Sequence, residues 1–401
     1  LENSMSERNV IVIGGGIGGL AAAAGLSQTG WRVTVFEQAP RFAPLGAGIT
    51  LAPNAIRALD WLGVGAALRR RSVATGAAGL RTPSGRWLLR TTVDQLTARQ
   101  GLPAYALHRS DLHTMLLDAA AQADLRTGHR VTHVASDADG AVVHYVTADG
   151  QHSARAALVV VADGVHSASR QALFPSHPGW AYADYITWRG VAPADAAPAQ
   201  LPGITATYGR GEAFGVVPLA DGRVYWFAAV SAPEHAHLND NIGDVAARFA
   251  DWHEPIPALL AATPADALLR HPIHHLATPL PTYVTGRVAL LGDAAHAMTP
   301  DLGQGAAQAL EDAVVLTARL AESDLGSALA GYDGDRRERT QKMVRVSARM
   351  GRLMNGGTAI GTWLRDAITW ALPAAAFMRA TDDAFGWRPP AHALDSAHER
   401  T

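Results

Sequence analysis

The first thirty-odd residues constrain the fold more than any other part of the chain. Asn9 to Ile13 is a short apolar, β-branched run of the kind that makes a buried parallel strand. It runs straight into Gly14-Gly15-Gly16-Ile17-Gly18-Gly19 and then into a small-residue stretch, Leu20 to Gln28, that reads as a helix closed by Gly30. Trp31 to Glu37 is a second strand-like run, and it ends in an acid. Strand, tight turn, helix and strand within about 30 residues make a dinucleotide-binding βαβ unit. Gly14 permits the turn, Gly16 lets the backbone approach a pyrophosphate, and Gly19 lets helix and strand pack closely. The first helix amides face the phosphates, and Glu37 is placed to accept from ribose hydroxyls. A merely glycine-rich turn does not explain that acid.

Composition removes several other classes. With 401 residues, 48% hydrophobic and 17% charged, the chain can bury a large core and reads as two domains of a soluble protein. A formal charge of -2 offers no basic surface for nucleic acid. Cysteine is absent, which excludes disulfides, thiolate metal sites and cysteine nucleophiles and fits a cytoplasmic location. No His-Glu-x-x-His spacing suggests a metal. Leu1 to Ser4, ahead of Met5, read as an expression-vector scar.

Strand-like and helical segments then alternate. Asp111 to Ala123 is helical in spacing, Arg130 to Ala135 and Ala141 to Thr147 read as a hairpin, and Ala157 to Ala162 is an apolar strand running into Asp163-Gly164. From Trp180 to Pro281 the texture changes. Tyr182 to Val191, Thr205 to Tyr208, Phe214 to Leu219 and Arg223 to Val230 read as aromatic-rich strands between Gly and Pro turns. They predict a mixed or antiparallel sheet forming one wall of an apolar pocket. Val245 to Trp252 reads as a helix and Arg287 to Leu291 as a buried strand ending at Gly292-Asp293. Ala306 to Leu320, Gln341 to Met354 and Ile360 to Met378 read as helices.

Three ordered motifs carry a family resemblance. They are Gly14-x-Gly16-x-x-Gly19 with Glu37; Asp163-Gly164-Val165-His166-Ser167-Ala168-Ser169-Arg170; and Gly292-Asp293-Ala294-Ala295-His296 with Pro300 and Gly303-Gln304-Gly305. Together they resemble the class A flavoprotein monooxygenases, the family of p-hydroxybenzoate hydroxylase and salicylate hydroxylase, over nearly the whole chain. Trp188-Arg189-Gly190 also resembles the salicylate-hydroxylase branch. The family usually carries Asn or Cys just after Gln-Gly, where this chain has Ala306 and Ala307, small residues that keep the backbone contact.

The resemblance implies bound FAD, NAD(P)H as transient electron donor and O2 as co-substrate. It also implies oxygen transfer to an electron-rich ring through a flavin C4a-hydroperoxide. Cofactor-binding candidates are Gly14, Gly16, Gly19, Glu37, Arg41, Gly48, Arg109, Asp163, Gly164, Arg170, Gly292, Asp293, Gly303, Gln304 and Gly305. Among them, Asp293 resembles the acid that accepts from the ribityl chain, and Arg109 the arginine that reaches the FAD phosphates. Gly48 lies in the segment resembling the one beside the isoalloxazine, and Asp163 and Arg170 fall near the NAD(P)H path.

For chemistry and substrate the candidates are His296, Pro300, Arg189 and Tyr185, with Tyr208, Phe214, Val216 and Trp226 as pocket residues. His296 reads either as a chemical group or as local structure. Arg189 fits a substrate carboxylate or phenolate and a structural ion pair equally well. The aromatics fit stacking on a planar ligand and ordinary core packing alike.

The expected architecture is an α/β, Rossmann-like FAD-binding domain (residues 5–75, 100–180 and 285–340) with an inserted substrate sheet (76–99 and 181–284). Residues 341–401 are expected as C-terminal helices packed on the FAD domain. Trp363 to Met378 is apolar but interrupted by Arg365, Asp366 and Pro373, so it is expected to pack on that domain or a partner subunit and not to enter lipid. A monomer or homodimer acting on a small aromatic or polycyclic substrate, without nucleic acid or membrane, is the resulting picture. Alkene epoxidation or Baeyer-Villiger oxidation is the alternative chemistry. A halogenase, which needs a tunnel lysine, is disfavoured because the only lysine, Lys342, comes late in the chain.

Overall fold

Asn9–Ile13 lies at the centre of a six-stranded sheet, flanked by Leu158–Val161 on one side and Arg32–Phe36 on the other, both parallel to it. The computed structural model describes residues 8–42, 46–76, 79–196, 201, 203–236 and 241–391. Leu1 to Ser4 therefore lie outside the described residues. Asp124–Arg126 and Val288–Leu290 extend the sheet in parallel, and Val284–Thr285 closes one edge antiparallel. All four residues of Leu158–Val161 are buried, as expected of a strand covered on both faces. The helix Ile17–Gln28 follows the first strand, and its alanines pack with Leu310, Val314 and Leu316 of the helix Gly305–Glu322 in one core.

A second, seven-stranded sheet is assembled from two stretches of chain. Its order is Leu269–Leu276, Trp180–Ala192, Val224–Ser231, Glu212–Pro218, Thr205–Tyr208, Gly79–Arg81 and Trp87–Arg90. All pairings are antiparallel except Thr205–Tyr208 with Gly79–Arg81, so the sheet is mixed. The protein is thus an α/β Rossmann-like domain carrying an inserted mixed sheet and C-terminal helices.

Alternation gives the inserted sheet two unlike faces. Ile186, Trp188, Phe214, Val216, Val224, Trp226 and Ala228 point one way and form a closed core with Phe249, Leu259 and Leu260, under the helices Ile242–Arg248 and Ile256–Ala262. Tyr185, Arg189, Val217, Tyr225 and Phe227 point the other way.

The helix Leu325–Met354 starts sixteen residues before the expected Gln341. Its buried line runs Leu329, Tyr332, Arg336, Thr340, Met343, Ser347, Gly351. Arg336, Thr340 and Ser347 interrupt that line, so no continuous apolar stripe announces the helix. The expected Ile360 to Met378 helix is two, Ala359–Ala371 and Ala374–Ala380, with Pro373 between them. The first rests on the inserted sheet: Arg365 donates to the carbonyls of Tyr208 and Gly209. The C-terminal helices therefore contact both parts of the fold and not the FAD domain alone.

Candidate active site

At the first strand's end, Gly14 has φ +103, and a Cβ there would sit 2.9 Å from the Ala162 carbonyl carbon. Only glycine fits. Gly16 caps the following helix without any side-chain bond and faces open space. The first helix amides are thus left for an anionic ligand. Glu37 steadies this turn by accepting from Gly15 N at 2.8 Å and Ala39 N at 2.7 Å. A carboxylate has about four acceptor sites, so capacity remains for ribose hydroxyls. Arg41 is exposed just beyond.

Asp163 accepts from Ser169 N at 3.3 Å through Oδ2, while its buried Oδ1 has no donor among the described residues. An orphaned buried acceptor beside the glycine turn is what a ligand hydroxyl would satisfy. Arg170 plays a different part from the one expected. It is 3% exposed and donates to the carbonyls of Val165 and Ala294, latching the loop that contains Gly164 to the Gly292-Asp293 segment. It is a fastener between two motifs and does not open towards a passing nicotinamide.

Asp293 begins the short helix Asp293–His296 and is exposed. The dense protein around it raises its pKa, and the opposing charges of His296, Arg109 and Arg170 pull it back. Arg109, at the start of Arg109–Ala119, is lowered by burial and by the charge of Arg189, with Asp293 acting the other way. Arg109 is thus within electrostatic reach of both Arg189, on the inserted sheet, and Asp293, across the groove expected to hold the flavin.

His296 is not free for chemistry. Its Nε2 pairs with Asp312 Oδ2 at 2.6 Å, and both side chains are buried. Asp312 also accepts from Gly292 N (2.9 Å) and Arg336 Nε (2.6 Å). Burial alone would push the Asp312 carboxyl up; the charges and hydrogen bonds of His296 and Arg336 outweigh it and set its pKa at about 2. Arg336 further pairs with Glu311 at 2.6 Å. Gln304 is tied in through Asn54, whose Nδ2 donates to Gln304 Oε1 at 2.9 Å and to Glu311 Oε1 at 2.7 Å. Pro300 opens the turn Pro300–Leu302, which ends at Gly303 with φ +61. The Gly303-Gln304-Gly305 turn is therefore held from behind by a buried charge network. Sequence reasoning missed that network because a buried arginine looks like any surface arginine.

The other wall of the groove is the inner face of the inserted sheet. Tyr225 presses on Gly48. Phe227 lies over Gly215, where a Cβ would collide with its ring, and directly opposite Arg189. The mid-strand glycine was the available signal for this close approach. Tyr185 donates to Asp301 Oδ2 at 3.0 Å, and burial raises the pKa of both groups. Tyr208 is half-buried on the same face, packed with Tyr185 and Ala213. Phe214, Val216 and Trp226 do not reach this wall. They lie in the helix-covered core, where Trp226 Nε1 donates to Thr263 Oγ1 at 2.8 Å. The face needing the largest apolar cover took the largest side chains.

The glycine turn, the uncapped helix end, the orphaned Asp163 oxygen and the Asp293–Arg109 pair all fit FAD. The comparisons agree. Residues 7–347 match the family described as FAD binding domain. The chain is 37% identical over 362 residues to the aurachin C monooxygenase/isomerase of Stigmatella aurantiaca, covering 90% of this chain and 93% of that one. It is 36% identical over 338 residues to the FAD-dependent urate hydroxylase of Klebsiella pneumoniae, covering 83% and 87%. Among solved structures, Klebsiella pneumoniae HpxO complexed with FAD and uric acid superposes with a TM-score of 0.85 at 31% identity, covering 94% and 96%. The chain belongs to the class A FAD-dependent aromatic monooxygenase family, and its activity is that of an FAD-dependent NAD(P)H monooxygenase.

Proposed function

We propose that this enzyme hydroxylates a planar, electron-rich aromatic or polycyclic compound held against the inner face of the inserted sheet. The observation carrying the reading is the row Arg189–Phe227–Gly215 on the sheet's inner face: a half-buried ring directly beside one cation. FAD, reduced by NAD(P)H, would supply the activation of O2, one atom of which goes to the substrate and the other to water. The chain's own residues bind, orient and exclude water. Phe227, half-buried, offers a ring face for stacking. Arg189 stabilises a phenolate or carboxylate on the substrate. His271 sits opposite Thr187 on the same face. Partial burial, then the charges of Arg189 and Arg109, lower its pKa, while the residue stays exposed. It is the neutral imidazole able to take up a phenolic proton. The named relatives fit such substrates: urate for one, and 3-amino-4-hydroxybenzoate for another from Streptomyces platensis.

The test is a panel of phenols, quinolones, salicylates and polycyclic aromatics. It is scored by NAD(P)H-dependent flavin reduction and by mass-detected oxygen incorporation, because uncoupled peroxide formation imitates turnover. Hydroxylated aromatic product is expected. Oxygen gained only by alkenes or ketones would replace this reading with epoxidation or Baeyer-Villiger chemistry. Asp293→Ala is expected to lower flavin content or reduction by roughly tenfold; unchanged flavin would remove Asp293 from its role.

A further inference from the structure

The helix Ala359–Ala371 turns an unusual face outward. Ile360 (80% exposed), Trp363 (70%), Leu364, Ile368 and Trp370 (65%) are exposed along it, continued by Leu372 and by Leu353 on the preceding helix. The two tryptophans alone present on the order of 300 Å², and contiguous apolar patches of this kind mark interaction sites. Among residues 392–401, Leu394 is the only large apolar residue. Nothing among the described residues covers this face.

Its rim is basic. Arg345, Arg349 and Arg352 are exposed on the end of Leu325–Met354 that leads into the patch, at spacings of three and four that align them with Leu353. They carry no ion pair among the described residues. Arg210 joins them, donating to the Gly357 carbonyl at 2.5 Å. The acids nearest in sequence are engaged: Asp366 with Arg365, Asp382 with Arg99, Asp383 with Lys342. A second copy of this face would offer the rim no unpaired acid from its own neighbourhood, because Asp366, Asp382 and Asp383 are already engaged. An anionic lipid surface complements it. Tryptophan, leucine and isoleucine on one side with arginines around them is the pattern of a helix lying in the headgroup layer. No described helix is long and apolar enough to cross a membrane, so the helix lies on the surface.

We propose that the outer face of Ala359–Ala371, rimmed by Arg210, Arg345, Arg349 and Arg352, docks on anionic phospholipid. Because Arg365 on the same helix holds the Tyr208 and Gly209 carbonyls, docking would set the edge of the inserted sheet at the lipid surface.

The full-length holoenzyme should be sedimented with vesicles of phosphatidylcholine and phosphatidylglycerol in equal parts, and with phosphatidylcholine alone. Binding to the anionic vesicles is expected, weakening at high salt. Trp363→Ser with Trp370→Ser should cut the bound fraction about tenfold, and Arg349→Glu with Arg352→Glu should abolish the preference for anionic vesicles. Both variants should keep wild-type flavin content and NAD(P)H oxidation. Absence of vesicle binding, or equal binding by the tryptophan variant, overturns the proposal. So does a wild-type dimer in sedimentation equilibrium that the tryptophan variant converts to monomer, since a second copy would then be the occupant.

Discussion

Gly48 and Tyr225 meet with no room between them: a methyl group on Gly48 would come within 2.5 Å of the Tyr225 Cβ and closer still to its ring. This contact joins the segment beside the cofactor groove to the inserted sheet. Gly48→Ala must displace one or the other, at a cost of about 1–3 kcal/mol. A lower melting temperature and reduced flavin content are expected, both partly restored when Tyr225 is also shortened to Ala. An unchanged melting temperature would show that the contact is not so tight.

Trp226 and Phe227 are neighbours in sequence with opposite duties. Trp226→Ala should destabilise by about 3–5 kcal/mol through the cavity it leaves, while Trp226→Phe should lose about 1 kcal/mol with the Thr263 hydrogen bond. Phe227→Ala should instead raise KM or lower kcat for the aromatic substrate several-fold, with little change in unfolding midpoint. Urea unfolding alongside steady-state kinetics separates the two; matching profiles would contradict the two-faced sheet.

Asp312 has a folded-state pKa of about 2, below the ordinary aspartate value of about 3.9. Its stabilising contribution is therefore complete above about pH 4 and is lost as pH falls towards 2. Asp312→Asn, which leaves Arg336 and His296 without that charge, should cost about 3–5 kcal/mol at neutral pH and flatten the decline of stability on the acid side. Unfolding free energies measured between neutral pH and pH 3 would settle it; parallel slopes for variant and wild type would exclude the assignment.

His271, lowered from its usual range, stays neutral below the ordinary histidine pKa of about 6.5. Hydroxylation of a phenol should hold its rate as pH falls to that value and decline only below it, as the imidazole takes a proton. In His271→Asn this acid limb should vanish and kcat should drop about 100-fold. An acid limb that persists in the variant assigns the titration elsewhere.

The βαβ opening, the Asp163-Gly164 and Gly292-Asp293 turns and the aromatic sheet were legible because each has a local cause: glycine conformation, strand periodicity, or an acid at a strand end. What escaped was long-range. Nothing near Arg336 in sequence says that it reaches Asp312 and Glu311, and its charge hid the helix from Leu325 onward. Phe214 and Trp226 looked like pocket residues because composition marks an aromatic strand without saying which face meets the cofactor. The helices on the other face supplied that answer.

The alternation in Val224–Ser231 and its neighbours gives this sheet room to change its taste without changing its build. Val224, Trp226 and Ala228 answer to the helices and Tyr225 to Gly48, while Arg189 and Phe227 answer to whatever occupies the groove. Substitutions at the second set alter recognition and leave the first undisturbed. A lineage, or an engineer, can thus explore new ring systems at every other position while the scaffold stays in register beneath.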